Sequence, residues 1–267
     1  AQNSDRVIVL SEVQKRELAQ RGIQPDRIEV IINGHEQKEP LPARASAILS
    51  EQCPGLNDWI AGRTVIGYAG AIAVYEGLQD LVHTLASRKD SWSDVVLVVA
   101  GDGPYSYRLR ALVAELGLEN RVKLLGRVPG EVAEALYGIV DLCVLPRRPD
   151  LVSQLITPLK TVEILSHGKV LLASNVDAIA EQLSRYGYGE TFRAGDLDDL
   201  ARQLDRLLAD LPRLKAHYLG ASARIHEGFS WSSIAAQWDQ LLISVASAPV
   251  REAGVPPARN SLAPLYD

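Results

Sequence analysis

Short apolar runs alternate with amphipathic segments through most of this chain. Five runs, each six residues long, are nearly continuous in Val, Leu, Ile and Ala: TVIGYA (64–69), VVLVVA (95–100), RVKLLG (121–126), VDLCVL (140–145) and KVLLAS (169–174). Runs of this length and composition are typical of strands buried on both faces. The intervening segments predict helices over about 77–87, 104–116, 130–137, 157–167 and 178–184. The pattern predicts a Rossmann-like, doubly wound parallel α/β sheet.

Further elements are predicted on either side of this repeat. Strands are expected at 7–10 and 26–32, a helix capped by Ser11 at 12–21, another at 43–52, and irregular chain at 53–59. Helical spacing of Leu and other apolar residues predicts three carboxyl-terminal helices at 196–211, 212–227 and 230–246. The polar segment 35–42 is interpreted as a linker and the Pro- and Ala-rich segment 248–267 as a mobile tail. We therefore divide the chain into residues 1–40, 41–247 and 248–267.

Composition excludes several classes of protein. The hydrophobic fraction of 47% and charged fraction of 23% are ordinary for a globular protein. A net charge of −5 argues against nonspecific nucleic-acid binding, and no apolar run is long enough to predict a transmembrane helix. Cys53 and Cys143 form neither a disulfide framework nor a zinc motif, so we expect a reducing, cytoplasmic setting and no metal.

The stretch TPLKTVEILSHGK (157–169) carries the strongest candidate chemistry. Thr157 is predicted to be the N-cap of a helix, with Pro158 at its first position. The free N–H groups of such a helix start attract anions, and Lys160 lies in the same turn. Glu163 follows on the same helical face, where a carboxylate could accept hydrogen bonds from ribose hydroxyls. The alternative is an ordinary exposed Lys/Glu ion pair.

Four predicted strand-to-helix loops are further candidates, because ligands of doubly wound sheets bind beyond the carboxyl ends of the strands. Gly70 could let backbone N–H groups approach a phosphate, and the Gly101–Pro104 loop could line a ligand; both could also simply turn the chain. Arg127 follows the third strand and is either a ligand contact or a surface charge. Arg147 and Arg148 precede the predicted helix start and could bind phosphate or remain solvated.

A series of motifs runs from Asp5 to about Leu242: VIVLSE, IEVIINGHE, VIGYAGAIAVYEGL, LVVAGDGPY, RVKLLGRVPGEV, VDLCVLPRR, TPLKTVEILSHGKVLLASN and FSW. Their order and spacing resemble the carboxyl half of a family 4 glycosyltransferase of the GT-B fold. The resemblance is greatest to the branch with YEGL after the first glycine loop and TPLK before the helix glutamate. It implies a retaining transferase, without a metal cofactor, that binds the nucleoside diphosphate of an activated sugar.

The resemblance also implies roles for individual residues. Glu163 would hold the ribose hydroxyls. Lys160, one or both of Arg147 and Arg148, and the backbone of Thr157, Pro158 and Leu159 at the helix start would face the diphosphate. The remaining donor-binding residues would be Gly70 and Ala71 under the sugar phosphate and Arg127 and Val128 beside the base.

Four positions depart from the commoner family pattern. Ala71 and Glu76 stand where many members place Arg and Lys, so two phosphate cations are missing from the first loop. Leu155 stands where a glutamate that contacts the donor sugar is usual, and Asn175 replaces a usual aspartate. His167, beside Gly168 at the predicted helix end, is interpreted as structural.

The chain begins with what resembles the last strand and helix of an amino-terminal, acceptor-binding domain. We therefore expect the chain to bind a nucleotide sugar but to transfer sugar poorly by itself. The expected acceptor is a glycan or lipid-linked molecule of bacterial polysaccharide or glycolipid assembly, with peripheral association at the inner face of the membrane. The alternatives are a noncatalytic nucleotide-binding or assembly module and a fragment of a GT-B nucleotide-sugar epimerase. A dehydrogenase ranks lowest because no complete GxGxxG motif follows a strand.

Overall fold

A computed structural model describes residues 4–35 and 42–247 of the chain. Its strands are β1 (Val7–Val9), β2 (Ile28–Val30), β3 (Thr64–Ala69), β4 (Val95–Ala100), β5 (Val122–Gly126), β6 (Leu142–Leu145), β7 (Val170–Ser174) and β8 (Glu190–Phe192). Its helices are α1 (Glu12–Gln20), α2 (Pro42–Gln52), α3 (Leu56–Ile60), α4 (Leu78–Ser87), α5 (Ser106–Glu115), α6 (Gly130–Ile139), α7 (Leu151–Leu155), α8 (Lys160–Ser166), α9 (Asp177–Tyr186), α10 (Leu197–Ala209), α11 (Leu211–Phe229) and α12 (Trp231–Ala246).

Strands β3 to β8 form one parallel sheet in the order β5-β4-β3-β6-β7-β8. The chain runs outward from β3 to β5 and then returns to place β6 on the other side of β3. The strand order therefore reverses between β3 and β6, which is the position where doubly wound sheets bind ligands. All six residues of β4 are buried, as helices covering both faces require. The predicted Rossmann-like fold is confirmed.

One local prediction was wrong, and two short elements were not predicted. Residues 56–60 form the short helix α3 rather than irregular chain, and a further short helix, α7, follows Asp150, whose carboxylate caps it by accepting from the Ser153 N–H at 2.9 Å. Strand β8 was not predicted, because its three residues contain a single apolar side chain and give no periodic pattern. The proposed linker lies almost entirely outside the described residues, and the proposed tail lies wholly outside them.

The front of the chain forms a separate small unit. Strands β1 and β2 pair in parallel, and Val9, Ile23 and Ile28 form a cluster apart from the main core. The Glu181 carboxylate on α9 caps α1 by accepting from the N–H groups of Glu12 (2.8 Å) and Val13 (2.9 Å). This unit is therefore attached to the main sheet through a helix start. Within the described ranges no helix is both long and apolar enough to cross a membrane.

The loop after β3 packs tightly against the loop after β6. Gly77 has φ of +74°, and a Cβ atom added to it would lie 1.7 Å from the Pro146 carbonyl oxygen. The Arg148 N–H donates to the Tyr75 carbonyl at 2.9 Å, which fixes the same approach. Only glycine satisfies both the backbone angle and the space at position 77.

We expect Gly77→Ala to lower the free energy of unfolding by about 3 kcal/mol, because left-handed strain adds to a clash with backbone atoms. Gly117→Ala is the matched control: φ is +62° there, but nothing lies within 4 Å of the added atom. The control should lose only about 1 kcal/mol. Urea unfolding of both variants measures the difference, and equal losses would contradict the proposed close approach.

Candidate functional site

The four predicted loops meet at the carboxyl edge of the sheet. They are also joined to one another through backbone hydrogen bonds: Gly70 N–H donates to the Ala100 carbonyl at 2.9 Å, and Gly101 N–H donates to the Gly126 carbonyl at 2.8 Å. Added Cβ atoms at Gly101 and Gly103 would lie 1.8 Å and 2.4 Å from the carbonyl oxygens of Gly70 and Ile72. The glycines of the second loop are thus needed for packing of one loop against another.

A buried carboxylate with two cations lies at the point where the strand order reverses. Glu76, from the loop after β3, is 2% exposed. Its Oε1 atom lies 3.0 Å from Arg147 Nη2, from the loop after β6, and its Oε2 atom lies 3.1 Å from Lys160 Nζ, at the start of α8. We call Glu76, Arg147 and Lys160 the ion cluster. It joins three separate segments of the chain.

The charges of the ion cluster depend on one another. Burial alone would raise the pKa of Glu76, but Lys160 and Arg147 outweigh it and hold that pKa below its ordinary value. Burial lowers the pKa of Lys160, and the Glu76 carboxylate opposes this shift. One anion between two cations leaves the cluster with a net positive charge when all three groups are ionised.

Lys160 reaches across the loop after β3. Its Nζ donates to the Tyr68 hydroxyl at 2.6 Å and lies 4.5 Å from the centre of the Tyr68 ring. A Cβ atom added to Gly70 would lie 2.2 Å from Lys160 Cε, so the missing side chain at Gly70 makes room for the lysine. The Tyr68 hydroxyl in turn donates to the Ala71 carbonyl at 2.7 Å. The interpretation of Lys160 as half of an exposed helical ion pair is therefore wrong.

The two adjacent arginines differ in exposure. Arg147 is 5% exposed, and its Nη1 donates to the Ile156 carbonyl at 2.8 Å. The side chain of Arg148 is 47% exposed, and its Nε lies 3.7 Å from Asp80 Oδ2. Arg147 is thus held inside the protein, while Arg148 reaches solvent beside the cluster.

The helix of the TPLK stretch begins later than predicted. Its N-cap is Leu159, without a side-chain cap, so the prediction of Thr157 as N-cap and Pro158 as first helical residue was wrong. The Pro158 carbonyl lies 3.0 Å from Thr161 Oγ1 and 3.3 Å from Gln182 Nε2. These side-chain contacts hold Pro158 outside the helix. Sequence preference alone would have placed Pro158 at the first position of the helix.

Glu163 lies one turn along α8 from Lys160 and is half-buried. Burial lowers the pKa of Lys160, and the nearby Glu163 carboxylate opposes that shift. Burial raises the pKa of Tyr137, and the Glu163 carboxylate adds to that shift. Glu163 therefore lies near Lys160 of the ion cluster.

Arg127 and Val128 lie away from the ion cluster. They follow β5, the edge strand, which is separated from the reversal point by β4 and β3. Arg127 is exposed, and Val128 packs partly against the core. Both residues border the far end of the carboxyl edge.

His167 connects α8 to α6. Its Nε2 lies 2.9 Å from Glu134 Oε2, and its ring stacks on Tyr137 with 4.8 Å between centroids. Burial lowers the pKa of His167, so the neutral ring is favoured despite Glu134.

Burial raises the pKa of Cys143 to about 12, which makes this thiol unreactive. The described segments contain no group of three or more His, Cys, Asp or Glu residues able to hold a metal ion.

Sequence reasoning missed the role of Glu76. The residue was read only as the loss of a cation from the first loop. The pairing of Glu76 with Lys160 could have been predicted from the presence of an acidic residue in the first loop and a lysine in TPLK, because the two opposite charges could balance each other.

A doubly wound parallel sheet with cations where its strand order reverses places the chain in the class of α/β domains that bind ligands at this edge. The chain belongs to a family within that class, the glycosyl transferases group 1, whose model matches residues 57–226.

Curated relatives cover different shares of the chain. A D-inositol 3-phosphate glycosyltransferase of Nocardia farcinica is 27% identical over 241 residues, which are 87% of this chain and 51% of that protein. A 2-deoxystreptamine glucosyltransferase of Streptomyces kanamyceticus is 28% identical over 149 residues, or 56% of this chain and 37% of that protein. The chain thus spans about half or less of the length of these two relatives.

Solved structures share the fold. HepE of Anabaena in complex with UDP matches with a TM-score of 0.76 and 22% identity, over 90% of this chain and 64% of that one. Sucrose-phosphate synthase of Thermosynechococcus elongatus matches with a TM-score of 0.74 and 23% identity, over 93% and 60%. These likenesses support the Rossmann-like α/β fold.

We expect Arg147→Met to lower the free energy of unfolding at pH 7 by about 3 kcal/mol, because it removes one partner of a buried carboxylate. Burial alone would raise the pKa of Glu76, but the two cations hold that pKa below its ordinary value. The ion pair therefore stabilises the protein at neutral pH, and this stabilisation is lost in acid as Glu76 becomes protonated. Arg206→Met is the control, because its pair with Glu190 is exposed and worth under about 1 kcal/mol. Urea unfolding that shows equal losses would argue against a buried, stabilising cluster.

Proposed function

We propose that this chain binds the nucleoside diphosphate of a sugar donor and serves as the donor-binding carboxyl-terminal part of a retaining glycosyltransferase. The whole enzyme would transfer a hexose to a glycan or lipid-linked acceptor, in the cytoplasm at the inner face of the membrane. The observation that carries the proposal is the meeting of Lys160 and Arg147 beside Gly70, at the reversal point of the sheet. Membership of the glycosyl transferases group 1 supports it.

The diphosphate would lie over the ion cluster. Lys160 would donate to a phosphate oxygen, with Arg148 and the backbone N–H groups of Thr157 and Leu159 around it. A departing diphosphate gains negative charge in the transition state, and fixed cations and N–H groups stabilise that charge without having to reorganise. This chemistry needs no metal.

The rest of the donor would extend along the carboxyl edge. Glu163 would accept hydrogen bonds from two ribose hydroxyls, and Gly70 and Ala71 would lie under the sugar phosphate. Arg127 and Val128, at the far strand, would border the base. A uridine nucleotide is the first to test, since similar folds have been solved with UDP and UDP-glucose. The identity of the sugar is left open by Leu155, which supplies no carboxylate.

We expect Lys160→Ala to weaken UDP binding about tenfold and to leave uridine binding unchanged, because the lysine contacts phosphate only. Glu163→Ala should remove the preference for UDP over 2′-deoxy-UDP, which we expect to be about tenfold in the wild type. Calorimetric titration with UDP, uridine and 2′-deoxy-UDP measures both effects, and titration with GDP and ADP compares the bases.

Lys215→Ala is the matched control, because Lys215 pairs with Asp141 at the opposite edge of the sheet and should not affect binding. If no nucleotide binds, or if binding ignores both site substitutions, the proposed donor site is wrong.

A second expectation concerns turnover. The 267-residue chain produced alone should bind the donor but transfer sugar poorly. The relative from Nocardia farcinica, which matches 87% of this chain, is about twice as long as this chain. Supplying an acceptor-binding domain, on one chain or in trans, should restore transfer in a coupled assay that detects released nucleotide. Binding without transfer even then would favour the noncatalytic module, and robust transfer by the chain alone would contradict the expectation.

A further inference from the structure

We propose that Glu76 is a positioning residue of the donor site, which fixes Lys160 and Arg147 so that Lys160 presents its remaining N–H to the phosphates of the ligand. This inference rests on the proposed function. It assigns a role to an acidic residue that lies where a phosphate site would be expected to contain a cation.

The backbone places Glu76 with little freedom. The residue ends a short 3-10 turn, Val74–Glu76, and is followed by Gly77, which packs against the Pro146 carbonyl. The residue before Glu76 and the residue after Arg147 are joined by the hydrogen bond from Arg148 N–H to the Tyr75 carbonyl. The carboxylate and the guanidinium therefore come from two backbones that are locked together.

The contacts of the two cations are unequal. Arg147 uses Nε and Nη2 on Glu76, at 3.4 Å and 3.0 Å, and Nη1 on the Ile156 carbonyl. An ammonium group has three N–H donors, and Lys160 directs one to Glu76 and one to the Tyr68 hydroxyl. Counting contacts among the described residues, one donor of Lys160 remains for a ligand, whereas the buried Arg147 acts mainly by holding Glu76.

Glu76 also keeps Lys160 charged. The groups that face the ammonium are Tyr68 from β3, Glu76 from the loop after β3, Arg147 from the loop after β6 and Glu163 from α8. Burial and Arg147 favour the neutral amine, and Glu76 is the larger of the two carboxylate influences that oppose them. Without the Glu76 charge, the lysine would therefore lose its proton at a lower pH.

The alternative is that Glu76 competes with the ligand, because its carboxylate occupies the cations that a phosphate would use. The two possibilities predict opposite results for Glu76→Gln, which removes the charge and keeps the shape. If Glu76 positions the cations, the substitution weakens binding; if Glu76 competes with the phosphates, the substitution strengthens it.

The test is calorimetric titration of the whole chain with UDP and with uridine between pH 7 and 9.5. The terminal phosphate of UDP is already ionised in this range, since the second pKa of such groups is about 6. For Glu76→Gln we expect UDP binding about tenfold weaker at pH 7 and about a hundredfold weaker at pH 9.5, with a smaller change for the wild type. Uridine binding by Glu76→Gln should equal that of the wild type at each pH.

Two further variants complete the test. Glu76→Asp keeps the charge with a shorter side chain, so it should bind UDP more weakly than the wild type while keeping the wild-type pH profile; it carries the test if Glu76→Gln fails to fold. Glu190→Gln, in the exposed pair with Arg206, is the control and should leave UDP binding unchanged.

Several results would overturn the inference. Tighter UDP binding by Glu76→Gln would identify Glu76 as a competitor. Unchanged binding by both Glu76 variants, or losses that are equal at every pH and equal for uridine, would remove the positioning role. If the wild type binds none of UDP, GDP and ADP, the proposed function itself fails and this inference falls with it.

Discussion

The buried carboxylate of Glu76 between Arg147 and Lys160 is the interaction on which the carboxyl edge of this sheet depends. An ionised group that is 2% exposed is costly unless its charge and its hydrogen-bonding atoms are matched. Here the match comes from two other segments, so the loop after β3, the loop after β6 and the start of α8 have to adopt one arrangement together. Gly70 and Gly77 follow from this requirement, since each leaves space for a partner that a side chain would exclude.

The same cluster connects the edge of the sheet to the front of the chain. Arg147 donates to the Ile156 carbonyl, and Gln14 on α1 donates to the adjacent Leu155 carbonyl at 2.8 Å. Two successive carbonyl groups are thus held, one by the ion cluster and one by the β1–α1–β2 unit. A shift of that unit would therefore act on the segment that leads into Lys160. Leu155, where the resemblance led us to expect a carboxylate that contacts the donor sugar, contributes a backbone carbonyl to this connection.

Much of the fold could be predicted from the sequence because buried parallel strands have a strong local signature. The bounds of β3 and β4 match their apolar runs residue for residue, whereas β8 was missed because three residues carry no period. At the site, the loops and cations were found because glycine and arginine after a strand are local features. The partners of Glu76 were not, since Arg147 lies 71 residues away and pairing at that distance leaves no periodic trace. The start of α8 was misplaced because contacts of Pro158 with Thr161 and Gln182 override the local preference for a helix start.

Charge balance explains why an acidic residue suits a site proposed to bind a diphosphate. A lysine at position 76 would place a third cation against Arg147 and Lys160 in a poorly hydrated region, where like charges repel strongly and an ammonium group tends to lose its proton. The Glu76 carboxylate allows Arg147 and Lys160 to remain charged and close together. The two positive charges exceed the single negative charge, so the cluster remains positive. Lys160 then supplies from α8 the cation that the first loop lacks, and the space left by Gly70 lets it reach that loop. On this argument, the lysine in TPLK and the glutamate in YEGL form one compensated pair, and neither would suit the site without the other.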